Sequence, residues 1–419
     1  MYNFLEKAKQ EEQQAIMLQL ARVFENHGIP DNLAKLYDLI LHLAENPRKD
    51  SLGKVLKTLR PLLSSETPLL EDLVLAIFAG TPLSSPLKKS VFSLPQPDSV
   101  ADLFTVTREE TLKEYPSLSN RSPFYYMKTP LFTWNGLVSR RPGTLLFGSF
   151  YPYDPKASGY NSSGLLFQEK NGIDWSVGPT PTIGDQLAPE TRALLRALKK
   201  RRSTLFPYDK WIYINLQNTQ SASEKRRSRA LLEASKKNPD QFRLASISVD
   251  APFYKGNMKA GPTELKEHLY EAIFQPSHRS WYAFSLLHEE REAWAKIVET
   301  VLDQAYELGP SPIVFHELVV LGLIRAWQSF HTKENTGRVL STTACKECID
   351  RGGSVNSAFL WALQSSAQEV MAVLWGRPLL SRYRLIMPSR TRGFEALVET
   401  FTPDMVKDFL SSIWMAAKN

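Results

Sequence analysis

Residues 338–374 hold the strongest constraint on what this chain can fold into. Arg338-Val339-Leu340 is short and partly β-branched and reads as a buried strand. Thr342-Thr343-Ala344-Cys345-Lys346-Glu347-Cys348-Ile349-Asp350-Arg351-Gly352-Gly353-Ser354 follows, a tight loop ending in two glycines. Val355, Phe359, Ala362, Leu363, Val370 and Leu374 then recur near the 3.6-residue spacing and predict a helix from Val355 to Leu374. A strand, a tight loop and a helix start in that order build an anion-binding nest. Backbone N–H groups converge there and the positive end of the helix dipole faces the ligand. A cysteine at the floor of such a loop has its thiolate stabilised and can act as a nucleophile. Arg351 lies six positions beyond Cys345 and can return to the same centre, gripping two phosphate oxygens with its planar fork.

Cys345-x5-Arg351 is the arrangement of covalent phosphatases, and Lys346, Asp350 and Gly352 sharpen it. Cys345-Lys346-x-x-x-Asp350-Arg351 resembles the Cys-Lys-x-x-Lys-Asp-Arg-Thr loop of cysteine-dependent phosphoinositide phosphatases, among them the inositol polyphosphate 4-phosphatases and bacterial effector phosphatases. Ile214-Asn215-Leu216-Gln217 and Ser248-Val249-Asp250-Ala251-Pro252-Phe253-Tyr254 look like supporting strand ends in such effectors. Two positions depart from the pattern. Ile349 stands where the family usually has a second lysine, and Gly352 replaces the Ser/Thr that helps the leaving thiol.

The resemblance implies that Cys345 is the nucleophile and that Arg351 is the oxyanion clamp. Glu347, Cys348, Ile349, Gly352 and Gly353 complete the cradle, and Lys346 meets a second anionic group on the substrate. Asp350 would protonate the leaving alcohol, with Asp250 as the alternative; a structural charge at the helix N-terminus is the competing reading of Asp350. The cysteine phosphatases use no metal or other cofactor, so none is expected. The expected substrate is a phosphoinositide rather than phosphotyrosine, whose loops generally carry His where Ala344 stands. Arg390, Arg392, Lys255 and Lys259 are candidates for reading additional phosphates, each with surface charge as the plainer reading.

Three rivals stand beside this reading. A non-catalytic phosphoinositide- or partner-binding protein would keep the nest and lack the turnover, and a protein phosphatase would share the chemistry. Cys345-x-x-Cys348 also spells a redox or zinc pair. A zinc site needs two further ligands, for which His316 and His331 are the upstream candidates without a second Cys pair. A thioredoxin-like motif belongs near the start of its domain, not at position 345. Cys348 itself reads as a small buried hydrophobe, or as a partner able to trap oxidised Cys345.

At 419 residues the chain can hold two or three domains. We expect a helical N-terminal module over 1–98 and an α/β domain over 99–419, with a phosphatase-like mixed sheet flanked by helices and the loop at 345–351. Both cysteines lie in that loop, which excludes a disulfide framework and fits a reducing compartment. Met1-Tyr2-Asn3-Phe4-Leu5-Glu6 lacks the pattern of a Sec-type signal, and no apolar run approaches the ~20 residues of a membrane span. The net charge of +7 gathers at Lys199-Lys200-Arg201-Arg202 and Lys225-Arg226-Arg227-Ser228-Arg229. These clusters are solvated helix surface or a seat for an anionic phosphoinositide membrane; no aromatic-interleaved basic motif speaks for nucleic acid. The expected location is cytosolic and membrane-peripheral, inside a host cell if the chain is an effector.

Along the chain, helices are expected up to about residue 95, broken at Gly28-Ile29-Pro30, with Asp31-Asn32 as a cap and Lys54, Lys57 and Arg60 in solvent. Strands are expected at 131–134, 144–150, 211–216, 242–249 and 383–387. Further helices are expected over 189–200, 221–236, 262–274, 288–309, 313–330 and 402–417.

Overall fold

The computed structural model describes residues 2–48, 50–82, 91, 94–119, 164–183, 185–200, 203, 205–249, 262–275, 280–332, 337–345, 348, 350–382 and 384–418. The strands expected at 131–134 and 144–150 lie outside them. The fold is mixed α/β and mostly helical. Four helices open the chain: α1 (Tyr2–His27), α2 (Ala34–Glu45), α3 (Ser51–Leu59) and α4 (Pro68–Ala79). The first break falls at Gly28, whose φ of 78° suits glycine. Asp31 does not cap α2 as expected: Asp31–Leu33 forms a 3-10 turn and makes no side-chain cap. Thr67 does cap α4, its hydroxyl accepting from the Leu70 N–H, with Pro68 at the first helical position.

The short strand β1 (Thr81–Pro82) and α5 (Val106–Glu114) come next, followed by the strands β2 (Gly164–Gln168), β3 (Ile173–Val177) and the short hairpin β4 (Thr182–Ile183) and β5 (Gln186–Leu187). Next are α6 (Pro189–Lys200), β6 (Tyr208–Asn215), α7 (Ala222–Lys237), β7 (Phe242–Ile247), α8 (Pro262–Phe274) and β8 (Tyr282–Phe284). The chain continues through α9 (Arg291–Leu308), α10 (Pro312–Phe330), β9 (Arg338–Ala344) and α11 (Arg351–Ala362). It closes with α12 (Ala367–Met371), a π-helical turn (Ala372–Gly376), α13 (Arg377–Arg382), α14 (Arg392–Thr400) and α15 (Pro403–Lys418).

One sheet has the order β1-β2-β3-β9-β6-β7-β8. Its middle four strands, β3, β9, β6 and β7, run parallel. The last strand in the chain is thus inserted at the centre, between β3 and β6. A parallel strand covered on both faces is buried along its whole length rather than alternately, and β9 is buried from Val339 to Ala344. Consecutive side chains identify the two covers. The Ser341 hydroxyl accepts from Gln328 of α10 at 2.8 Å. The Thr342 hydroxyl points the other way and accepts from the Trp211 indole at 2.9 Å, and Trp211 meets Phe78 of α4 with ring centroids 5.4 Å apart.

The N-terminal helices are also tied to α6 by charge. Arg60 Nε donates to Glu190 at 2.6 Å, Lys200 Nζ to Glu71 at 2.6 Å, and Arg196 Nη2 to the Leu63 carbonyl at 2.6 Å. Arg60 and Lys200, expected in solvent or at a membrane, are therefore cross-links. Helix α10 is 19 residues long and, by length and composition, apolar enough to cross a membrane (mean hydropathy 1.3), but 83% of its most apolar 18-residue window is buried inside the protein, so it makes no clear membrane span, as expected. It is a core helix.

The expected helix from Val355 to Leu374 is interrupted. Gln364 takes φ +63°, and Ser366 starts a new helix through a capping box with Glu369. No strand forms over 384–387; this segment instead lends Arg384 to the loop described next.

Candidate active site

Four parallel strands end on one edge of the sheet, the edge where open α/β sheets bind ligands. At its centre β9 ends at Ala344 beside Asn215 of β6, the Leu216 N–H donating to the Ala344 carbonyl at 2.8 Å. Cys345 comes next and is 4% exposed. Its carbonyl accepts from the Thr180 hydroxyl at 3.1 Å, and Thr180 is in turn held by the Gln217 amide at 2.9 Å. The nucleophile candidate is thus braced from the ends of both neighbouring strands.

Arg351 is the first residue of α11 and is 9% exposed. Its Nη1 donates to Glu224 Oε2 at 2.9 Å and to the Leu216 carbonyl at 3.2 Å, and its Nη2 donates to Glu224 Oε1 at 2.5 Å. This is a bidentate fork on a carboxylate in the first turn of α7. Burial would push the Glu224 carboxyl up, but the hydrogen bonds and charge of Arg351, the Asn218 N–H and Arg227 together hold it below the usual carboxylate range. Burial likewise works against the Arg351 charge, and Glu224, Cys345 and Asp350 outweigh it. Arg227, placed in a solvated cluster by its sequence, is in fact buried and donates to Gln217 at 2.7 Å. Arg390, partly buried, also feels the Glu224 charge.

Asp350 sits just before α11 with both oxygens occupied: Arg384 Nη1 and Nη2 donate to them at 2.9 and 2.8 Å. To serve as an acid it would first have to leave that guanidinium. As it stands, it anchors the loop to the segment after α13.

Cys348 lies beneath the loop, fully buried, with φ +55°. Its thiol donates to the Thr343 carbonyl at 3.3 Å, and burial pushes its pKa up to about 12. It faces the interior, so the expected contact with a ligand is not made by this side chain. Gly352 is required by that thiol, because a Cβ there would lie 2.4 Å from Cys348 Sγ. The Ser/Thr usual at this place in phosphoinositide phosphatase loops has no room. Gly353 is less constrained, with nothing nearer than 3.7 Å to its notional Cβ. In the first turn of α11 the N–H groups of both glycines have no intrahelical acceptor, the condition for anion binding. Asn356 ties this turn to β9, its amide donating to the Thr343 carbonyl at 3.1 Å and to the Gly352 carbonyl at 2.7 Å.

Lys346, Glu347, Ile349, Asp250, Lys255 and Lys259 lie outside the described residues. Glu224, Thr180, Asn356 and Arg384 belong to the site although no motif in the sequence points to them. Glu224 carries no local signal, being one acid beside a basic run and 127 residues from its partner. Among the described residues no three His, Cys, Asp or Glu side chains gather as metal ligands. A buried sulfur, a fixed guanidinium and a helix N-terminus together are equipped to hold a tetrahedral oxyanion against a nucleophile. Comparison with protein-family models, with curated proteins and with solved structures finds no match to this chain.

Proposed function

We propose that this chain is a cysteine-dependent phosphatase that hydrolyses phosphate monoesters of phosphoinositides through a phosphocysteine intermediate. One observation supports the reading: Arg351, at the start of the helix that follows Cys345, is locked by Glu224 and the Leu216 carbonyl, and Cys345 is among the groups that favour its charge. Phosphoryl transfer needs little beyond positioning and charge stabilisation, which such a clamp supplies. The Cys345 sulfur attacks phosphorus in line, and the bond from phosphorus to the inositol oxygen breaks as the sulfur–phosphorus bond forms. The departing inositol oxygen takes its proton from Asp350, released from Arg384, with Asp250 as the alternative acid. Water then gives a proton to the carboxylate left by that step and attacks phosphorus; the sulfur–phosphorus bond breaks, releasing inorganic phosphate and the Cys345 thiolate. The substrate class rests on Lys346 and Asp350 in the loop and on Ala344 before the cysteine. Such a substrate implies work at the cytosolic face of a membrane, and the effector resemblance implies a host cytoplasm.

The test is phosphate release from a panel of short-chain phosphoinositides by the wild type, Cys345→Ser and Arg351→Lys. Release by the wild type that both variants lose is expected; equal release by wild type and Cys345→Ser would remove the enzyme reading. The low exposure of Cys345, 4%, favours one rival, a binding protein without turnover. That rival expects phosphoinositide association unchanged by Cys345→Ser and no phosphate from any lipid.

A further inference from the structure

Helices α6 and α7 bound a groove of about 940 Å3, with the β4–β5 hairpin at one end. Arg192, Arg196 and Lys199 line it from α6, spaced four and then three residues apart, so they share one helical face. Arg226, Arg229 and Lys237 line it from α7 at compatible spacing. Only two carboxylates, Asp185 and Glu233, share the lining. Arg196 is engaged by Glu66 and the Leu63 carbonyl. Among the described residues, no carboxylate lies within ion-pair reach of Arg192, Lys199, Arg226, Arg229 or Lys237.

Their sequence neighbours differ. Lys200 turns to Glu66 and Glu71, and Arg227 turns inward to Gln217. Among the described residues, each basic run therefore contributes one cation that holds the fold, Lys200 or Arg227, and others that line the groove, Lys199 or Arg226 and Arg229. Five unneutralised charges from two helices facing one cavity repel one another, and an anion bridging the helices relieves that repulsion.

We infer that this groove is a binding site for a compact ligand carrying several phosphate groups, separate from the cysteine loop. Its volume falls within the roughly 300–1,000 Å3 of small-molecule sites. Four of its six cations are arginines, whose forks match phosphate oxygens two at a time. A concave seat suits a discrete headgroup better than the plane of a bilayer. The lining contains no aromatic side chain on which the bases of a single strand could stack, which disfavours nucleic acid. The phosphates can come from a phosphorylated lipid headgroup or from a soluble polyphosphate, since the chemistry of recognition is the same.

The test uses the full chain and inositol hexakisphosphate as the probe, titrated calorimetrically against wild type, Arg192→Glu/Lys199→Glu and Arg226→Glu/Arg229→Glu. Lys35→Glu/Lys407→Glu changes net charge equally at exposed positions elsewhere and serves as the control. Stoichiometric binding is expected, weakened at least about tenfold by either groove pair and little changed by the control. Arg229→Gln alone serves if a charge-reversed pair fails to fold, with weaker binding again expected. Flotation with phosphatidylcholine vesicles, with or without phosphatidylinositol bisphosphate, separates the sources: groove-dependent capture by the phosphorylated lipid identifies a headgroup, and soluble binding alone identifies a free polyphosphate. No binding of the probe would overturn the inference, as would equal weakening by the control. It would also fall if plain phosphatidylserine vesicles or an oligonucleotide used the groove as well as the probe does. Cys345→Ser should leave binding intact, so this site and the phosphatase reading fail independently.

Discussion

Replacing Glu224 by alanine tests the clamp at its anchor. The mutation removes both acceptors of the fork, at 2.9 and 2.5 Å, and leaves a guanidinium that is 9% exposed. Removing one partner of a buried ion pair costs about 3–5 kcal/mol, because the other charge is left uncompensated. The Leu216 carbonyl still accepts from Nη1, so the lower end of that range applies. With about 2.1 cal/mol/K of unfolding entropy per residue, a chain of 419 residues should lose about 3–4 °C in Tm. Glu224→Gln retains one carbonyl acceptor and should cost less, about 1–3 kcal/mol. Removing both charges with Glu224→Leu/Arg351→Met should recover much of the loss, since no buried charge is then orphaned. The double variant lacks the Arg351 guanidinium and should release no phosphate, which separates stability from chemistry.

The pH dependence has a defined sign. The folded Glu224 carboxyl titrates below its ordinary value, so its stabilisation is complete above the usual carboxylate pKa of about 4.3. It is lost as pH falls through the depressed folded value, and Glu224→Gln should lack that acid-limb component. Urea titrations across this window would measure it. Stability of Glu224→Ala within about 1 kcal/mol of wild type, against the expected loss of about 3 kcal/mol, would refute this account of the pair. A double variant no more stable than the single would refute it too.

Two further outcomes concern the floor of the loop. Gly352→Ala should destabilise by about 1–3 kcal/mol through the clash with Cys348 Sγ, and Cys348→Ala in the same chain should relieve it; a non-interacting pair in a double-mutant cycle would count against this packing. With its thiol raised to about 12 and fully buried, Cys348 should resist iodoacetamide at pH 8 in the native protein and react once unfolded in urea, as read by peptide mass spectrometry.

Local periodicity made the helical elements legible. The apolar faces of 189–200 and 312–330 and the β-branched run at 211–216 each specify an element without help from distant residues, and the structure has helices or a strand there. The interruption at Gln364 was less visible, because the apolar spacing continues across it while the backbone turns left-handed. The Ser366–Glu369 capping box was the local signal that marked it. Charged residues were the hardest to read. Arg60, Lys200 and Arg227 look like solvated surface in sequence, yet their partners Glu190, Glu71 and Gln217 turn them into interior links. At separations of 130 and 129 residues for the first two, no local pattern encodes the pairing.

The same limit governs the site. Asp350 and Arg351 are adjacent and oppositely charged, so sequence alone suggests that both serve a ligand. Instead each has a distant partner of the other sign: Arg384 for Asp350 and Glu224 for Arg351. These two pairs pull the start of α11 toward different parts of the fold, one toward the segment after α13 and the other toward the first turn of α7. A loop held from two sides cannot swing its guanidinium away from α7 without breaking the pair with Glu224. Preorganisation of that kind favours a charged transition state, because the cost of orienting the clamp is met when the chain folds rather than at each turnover.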